Sequence, residues 1–142
     1  MPNWTHNTLR VEASPQKIKE LKKKFKSKKS VFDFNKILPM PRNSKKFKAK
    51  GDLTPEDMSD GNNWYVWSAN NWGTKWNSRD AVINDESDTH VEYSFDTAWD
   101  APRGISQALC EGDTLKGCTD VDWSCSHEFE EDTEQLIWTE KK

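Results

Sequence analysis

The chain has 142 residues, of which 33% are hydrophobic and 32% are charged, and its formal net charge is -3. This length fits a single domain, residues 1–142, and eight tryptophans and six phenylalanines supply an aromatic core despite the polar composition. The apolar runs are too short to span a membrane, and the chain does not begin with a secretory signal pattern. Three cysteines, an odd number, fit reduced thiols, so we expect a cytoplasmic protein.

The charges are divided unevenly along the chain. Residues 1–50 hold 15 Lys and Arg against three acidic residues, whereas residues 51–142 hold six Lys and Arg against 21 acidic residues. Two interpretations are open at this point. Either the two halves neutralise each other where they meet, or they form separate basic and acidic faces that bind partners.

The first elements of the chain are a predicted strand and a predicted helix. Residues 5–12 end in alternating apolar and polar side chains, which is typical of a strand. Ser14 and Pro15 indicate a helix start, with serine as the cap and proline at the first helical position. The apolar positions of this helix form one narrow stripe and its other faces are rich in lysine; the stripe consists of Ile18, Leu21 and Phe25.

The next segment is predicted to be largely irregular. Residues 31–41 are apolar and end in two prolines, which favours a buried strap over a regular strand. Residues 42–61 are charged and contain glycine and proline, so they predict a flexible surface insertion. Residues 63–72 predict a short tryptophan-rich helix, and Gly73 is placed to end it.

The second half predicts the rest of an antiparallel sheet. We expect a hairpin with Asp88 in its turn, then a helix from about Asp100 to Cys110, and two more strands; the predicted strands are residues 81–86, 90–95, 119–129 and 135–139. The order strand–helix–strand–strand–helix–strand indicates an α+β fold, a ferredoxin-like sandwich with two helices on one face of the sheet. The tryptophan-rich helical segment is an insertion in this order.

Four stretches of the chain resemble one protein family when they are taken together in this order. They are residues 1–4 with Asn7, residues 32–41, residues 71–77, and residues 95–99 with Pro102. They are similar to uncharacterised phage and plasmid proteins with a YubB-type ferredoxin-like domain, and the similarity covers most of the chain. The resemblance implies a mobile-element origin and a ferredoxin-like fold, and it carries no catalytic residues. The fold name implies no iron–sulfur cluster, which ordinarily needs four cysteine ligands.

The candidate binding site combines two of these stretches. Tryptophans beside a lysine, an asparagine and an aspartate can form a stacking pocket for a base or nucleotide; the candidate residues are Trp72, Gly73, Lys75, Trp76, Asn77, Asp96 and Trp99. A structural interpretation of the same residues is also open. In it the tryptophans fill the space over the sheet, Gly73 provides a turn, and Lys75 pairs with Asp96.

Metal and catalytic sites are not predicted. Cys118 and Cys125 are too far apart in sequence for a zinc knuckle, although Cys125 and His127 can share a face of a strand. No nucleophile stands beside a histidine base, and the fingerprints of phosphate-binding and dinucleotide-binding loops are missing from the sequence. We therefore expect a protein that is not an enzyme and needs no cofactor.

Two functions fit these features. The first is a phage or mobile-element accessory protein that binds a host macromolecule, most readily a host protein met by the acidic half, to counter a host defence. The acidic surface would then imitate the charge of nucleic acid. The second is a nucleotide or nucleic-acid binder that uses the tryptophan pocket and the lysine-rich helix, although arginine, which suits bidentate phosphate contacts, is scarce.

Overall fold

The computed structural model describes residues 3–42, 46–128 and 133–138. Within them the chain is α+β, with one open five-stranded antiparallel sheet and four α-helices. The strands are β1 (Trp4–Glu12), β2 (Arg79–Glu86), β3 (His90–Ala98), β4 (Asp120–His127) and β5 (Thr133–Trp138). The helices are α1 (Pro15–Phe25), α2 (Pro55–Asp60), α3 (Trp64–Asn71) and α4 (Arg103–Glu111), and a 3-10 turn spans Phe34–Lys36.

The strands lie in the order β2-β3-β1-β4-β5, so β1 is the central strand and β2 and β5 form the edges. Strand β1 pairs along its whole length with β3, from Trp4 opposite Ala98 to Glu12 opposite His90. The edge strand β2 is less regular, because its pairing with β3 shifts register twice and Asp80 has a positive φ of 53°. The three central strands, β3, β1 and β4, pair without a register shift, and the edge strands β2 and β5 flank them.

One face of the sheet is covered and forms the core. Alternate side chains of the three central strands are fully buried there, and they meet the apolar stripes of α1 and α4 in a single cluster. Phe32 of the strap stacks on Phe95 of β3 with ring centroids 4.8 Å apart and planes at 11°. The strap thus adds aromatic surface to the core; its irregular character is confirmed, and its predicted burial is confirmed for residues 32–34 only.

The predicted helix starts are confirmed as well. The Ser14 hydroxyl accepts from the Lys17 amide, and Pro15 is the first residue of α1. Helix α3 begins after Asn63, whose side chain accepts from the Val66 amide, and the chain turns at Gly73 with a φ of 86°. Both helices start where a side-chain oxygen satisfies one of the free amides of the first turn.

The segment 42–61 contains structure that the sequence analysis did not predict. Helix α2 lies in it, started by a capping box in which Thr54 and Asp57 exchange hydrogen bonds. Lys48 and Asn63 form a one-residue parallel bridge that ties the segment to the start of α3. Residues 43–45 lie outside the described residues, and the flexibility of the segment stays a prediction.

The predicted hairpin, second helix and last two strands are confirmed, with shifts of a few residues at their ends. The strand predicted for residues 119–129 ends at His127, and Phe129 lies outside the described residues. The edge strand predicted for residues 135–139 starts earlier, at Thr133, and Thr139 lies outside the described residues. In the described part of the chain, no helix has both the length and the apolar character that a membrane span requires.

Candidate functional site

Three tryptophan rings and two cationic side chains form one row of contacts at an end of the sheet. The Arg79 guanidinium lies 4.3 Å from the centroid of the Trp4 ring, and the Trp4 and Trp76 centroids are 6.0 Å apart. The Lys75 ammonium lies 4.3 Å from the centroid of Trp76 and 4.1 Å from that of Trp99. We call these five residues the tryptophan ladder. Its cation–ring distances are within the range of favourable cation–π contacts.

Two of the ladder tryptophans are unusually exposed. Trp76 keeps 39% and Trp99 keeps 56% of its surface accessible, while the core tryptophan Trp123 has none. Trp99 also has a positive φ of 68°, a conformation that costs a bulky residue about 1–2 kcal/mol. Its backbone amide donates to the Asn3 carbonyl over 2.8 Å, which holds the turn after β3 in place. The fold thus presents this ring to solvent at an energetic cost.

Trp72 and Gly73 serve the packing of helices α3 and α4. Trp72 is 2% exposed and its indole N–H donates to the Leu38 carbonyl over 2.8 Å. A side chain at Gly73 would place its first carbon 2.7 Å from the Arg103 amide nitrogen. At Gly104 the corresponding carbon would lie 1.8 Å from the Asn71 carbonyl oxygen. The two backbones therefore approach closely here, and Trp72 has little ring surface to offer a ligand.

The Asn77 side chain forms hydrogen bonds with two residues of the strap. Its side-chain oxygen accepts from the Phe34 amide over 2.9 Å and from the Ser78 amide over 2.8 Å, and its amide donates to Asp33 over 2.8 Å. Burial pushes the pKa of Asp33 upward, but hydrogen bonds from Asn77, Ser27 and Asn35 outweigh that effect and hold the pKa below its ordinary value. Asp33 is thus an ionised, nearly buried carboxylate fixed by neutral donors.

The predicted contact between Lys75 and Asp96 is wrong. Asp96 lies on the open face of the sheet, where its carboxylate is 2.7 Å from Nδ1 of His6. Lys75 lies on the two tryptophan rings, and it forms no ion pair with a residue that the structure describes. The reason is that Asp96 lies within β3, opposite His6 of β1 and Arg79 of β2, whereas Lys75 precedes β2 and its ammonium lies over the two rings.

A basic groove runs beside the ladder, from the loop after α1 along the strap to the segment that carries α2. It consists of two adjoining clefts of about 690 and about 270 Å³, which share Asn35, Met40, Arg42 and Asn77 as lining residues. The cations along the groove are Lys28, Lys29, Lys36, Arg42, Lys50 and Lys75. None of the six forms an ion pair within the described ranges, and Asp33 is the one acidic residue among the described lining residues. Trp76 and Lys75 belong to both the smaller cleft and the ladder, so groove and ladder are continuous.

The open face of the sheet has the opposite charge. The small hydroxyl side chains of Thr8, Ser94 and Ser124 form its middle row, because these residues lie opposite one another in the register. Eight charged side chains surround that row. Two are guanidiniums, Arg10 and Arg79, and six are carboxylates: Glu12, Asp85, Glu92, Asp96, Asp120 and Asp122. We call this the acidic face. The two charged halves of the sequence are joined in places by ion pairs, such as Lys22 with Glu86 and Lys48 with Asp57, while the groove stays basic and this face stays acidic.

The thiols and histidines do not assemble into a site. In the part of the chain that the structure describes, no three His, Cys, Asp or Glu side chains are close enough to hold a metal ion. Cys125 is buried on the covered face, and His127 contacts the Thr5 hydroxyl through Nδ1 at 2.9 Å. Burial raises the pKa of all three thiols, Cys110, Cys118 and Cys125, so each is a weaker nucleophile than a free cysteine.

The structure therefore brings Lys75, Trp76 and Trp99 together and assigns packing contacts to Trp72, Gly73 and Asn77. Sequence reasoning missed Trp4 and Arg79, which complete the ladder, and the groove residues of the strap. Trp4 is 72 positions from Trp76 in the chain; the pairing of β1 with β3 places Trp4 opposite Ala98, whose carbonyl accepts from the hydroxyl of Thr74, two residues before Trp76. Comparisons of this chain with protein-family models, characterised proteins and solved structures found no match.

Proposed function

We propose that this chain is a non-enzymatic protein that binds a nucleotide or a single-stranded nucleic acid in the basic groove and on the tryptophan ladder. The observation that supports this most is the continuity of six unpaired cations with exposed tryptophan rings. Proteins that bind single strands combine these two elements, since cations follow the phosphates while bases stack on aromatic rings.

The proposed ligand is a single strand or a free nucleotide for two reasons. Stacking needs bases whose faces are free, and the bases of a duplex already stack on one another. The acidic face lies on the same small molecule and repels a long duplex that wraps around it. Five of the six groove cations are lysines, which act as point charges and give affinity for phosphate without reading the base sequence.

The test is binding of a fluorescent oligothymidylate, followed by anisotropy at several salt concentrations. The double variant Lys36→Glu/Arg42→Glu should weaken binding strongly and flatten the plot of log affinity against log salt by about 1.4, since each phosphate contact in a single strand contributes about 0.7. The matched control is Lys19→Glu/Lys23→Glu, which makes the same charge change on exposed lysines of α1 outside the groove.

Trp76→Ala supplies the second arm of this test. Because Trp76 is exposed, its removal should abolish or greatly weaken oligonucleotide binding and leave the unfolding midpoint nearly unchanged. Equal effects of the groove and control double variants would refute the groove as the site. A Trp76→Ala protein that binds as well as the wild type would refute stacking on the ladder.

We infer a ferredoxin-like fold and a mobile-element origin for this chain. The strand order β2-β3-β1-β4 and the placement of α1 and α4 in the core cluster support the fold. The resemblance to YubB-type phage and plasmid proteins supports the origin. An experimental structure with α1 and α4 on opposite faces of the sheet would refute this fold.

A second candidate function is binding of a host protein through the acidic face, to counter a host defence. The six carboxylates against two guanidiniums on that face favour a basic partner. Affinity purification from host cells, with nuclease, tests it. A stoichiometric protein partner should be lost with Glu92→Lys/Asp122→Lys and kept with the exposed control Glu56→Lys/Asp88→Lys. Retention of the partner by the first variant would exclude the acidic face.

A further inference from the structure

The Lys75 ammonium contacts the rings of two exposed tryptophans at once. It lies 4.3 Å from the Trp76 centroid and 4.1 Å from the Trp99 centroid. The two centroids are therefore separated by no more than the sum of these distances. A base stacked on both rings needs about 4.5 Å or more to each centroid, so the two rings have to move apart from their present separation to admit it.

The backbone around Trp99 supports a role for this gap. Trp99 adopts a positive φ and is 56% exposed, so its strained conformation does not serve burial of the ring. The Thr74 hydroxyl donates to the Ala98 carbonyl over 2.9 Å, which links the segment that carries Lys75 and Trp76 to the turn that carries Trp99. The two rings are thus held as a pair by a short, direct connection.

We propose that Trp76 and Trp99 form a clamp for one nucleobase and that Lys75 is the internal occupant of this clamp. This proposal rests on the proposed function and names the part of the ligand that the ladder takes. When the base enters, Lys75 leaves the rings and its ammonium turns to the phosphate, because the same side chain also lines the basic groove. Stacking of a base on a tryptophan is stronger than a cation–π contact at an exposed site, so the exchange favours the base.

The proposal predicts opposite effects of one substitution on two ligands. Lys75→Ala empties the clamp, so an uncharged nucleoside, adenosine, should bind several-fold more tightly to the variant than to the wild type. Adenosine monophosphate should gain less or lose affinity, because the variant also lacks the ammonium that meets the phosphate. The matched control is Lys50→Ala, which removes a groove cation that makes no cation–π contact with a described residue and should weaken only the nucleotide.

The measurement is a titration followed by the indole N–H signals in a nitrogen–proton NMR spectrum, with the Trp76 and Trp99 signals assigned from single variants. Glycine adopts a positive φ readily, so the variant Trp99→Gly should keep the fold. Because it lacks one ring of the clamp, it should not bind adenosine. Adenosine that binds Lys75→Ala no better than the wild type would overturn the clamp, even if oligothymidylate binds the groove as proposed.

The other outcomes separate this proposal from the proposed function. Tighter adenosine binding by Lys75→Ala without any oligonucleotide binding would support the clamp and refute the groove. Shifts of the Trp76 and Trp99 signals with tetramethylammonium, but not with adenosine, would overturn the nucleobase and indicate a cage for a methylated cation.

Discussion

Replacing Asn77 with alanine should destabilise the protein by about 3–5 kcal/mol at neutral pH. The substitution removes a hydrogen bond to the Phe34 amide and another to the Asp33 carboxylate, and both of these partner residues are buried. A buried amide left without a partner costs about 1–3 kcal/mol, and a hydrogen bond to a charged group contributes about 1.5–3 kcal/mol. The measurement is urea unfolding followed by tryptophan fluorescence at pH 7.

The same variant should show a particular pH dependence. The folded-state pKa of Asp33 is depressed below its ordinary 3.8, so this carboxylate contributes stability above that pH and loses it as the pH falls through the folded value. The difference between wild type and Asn77→Ala should therefore shrink below about pH 4. The control is Asn71→Ala, an exposed asparagine bonded only within its own helix. A loss under 1 kcal/mol at pH 7 would refute the structural role of Asn77.

Three further predictions concern packing and thiol reactivity. Trp72→Ala should destabilise by about 3–5 kcal/mol in urea unfolding, because the ring is buried; a loss as small as that of Trp76→Ala would contradict the burial. Gly104→Ala should lower the melting temperature far more than Gly51→Ala, although alanine favours helices, since its side chain would meet the Asn71 carbonyl; an unchanged melting temperature would contradict this close approach. Iodoacetamide should modify exposed Cys110 before buried Cys125 and react faster as the pH rises past 9, because burial raises both pKa values, and rapid labelling of Cys125 in the folded protein at pH 7 would contradict it.

Local patterns were enough to predict most of the secondary structure. Apolar and polar side chains alternate in β3 and β4, as they do in a strand with one buried face. In α1 the buried residues Ile18, Leu21 and Phe25 follow the spacing of a helix with one buried face. Helix α2 was missed because it has no buried residue, so it leaves no apolar stripe to detect. Its capping sequence, Thr54 followed by Asp57 three residues later, was the available signal.

The site was harder to predict than the fold, because residue type alone does not decide burial. Trp72 and Trp76 are the same residue four positions apart, yet one lies in the core and the other is 39% exposed. The left-handed turn at Gly73 between them separates their directions, and the close contact with α4 fixes that turn. Such a contact joins segments about 30 residues apart, so no local pattern in the sequence reports it.

The irregular pairing of β2 has a consequence for the behaviour of this protein at high concentration. An edge strand exposes free amides and carbonyls that can template the addition of a strand from another molecule. The two register shifts and the positive φ of Asp80 interrupt that row of groups, and charged side chains flank the interruption. The β2 edge is thus a poor template for growth into a continuous intermolecular sheet, which limits aggregation through this edge in a protein that exposes the rings of Trp76 and Trp99.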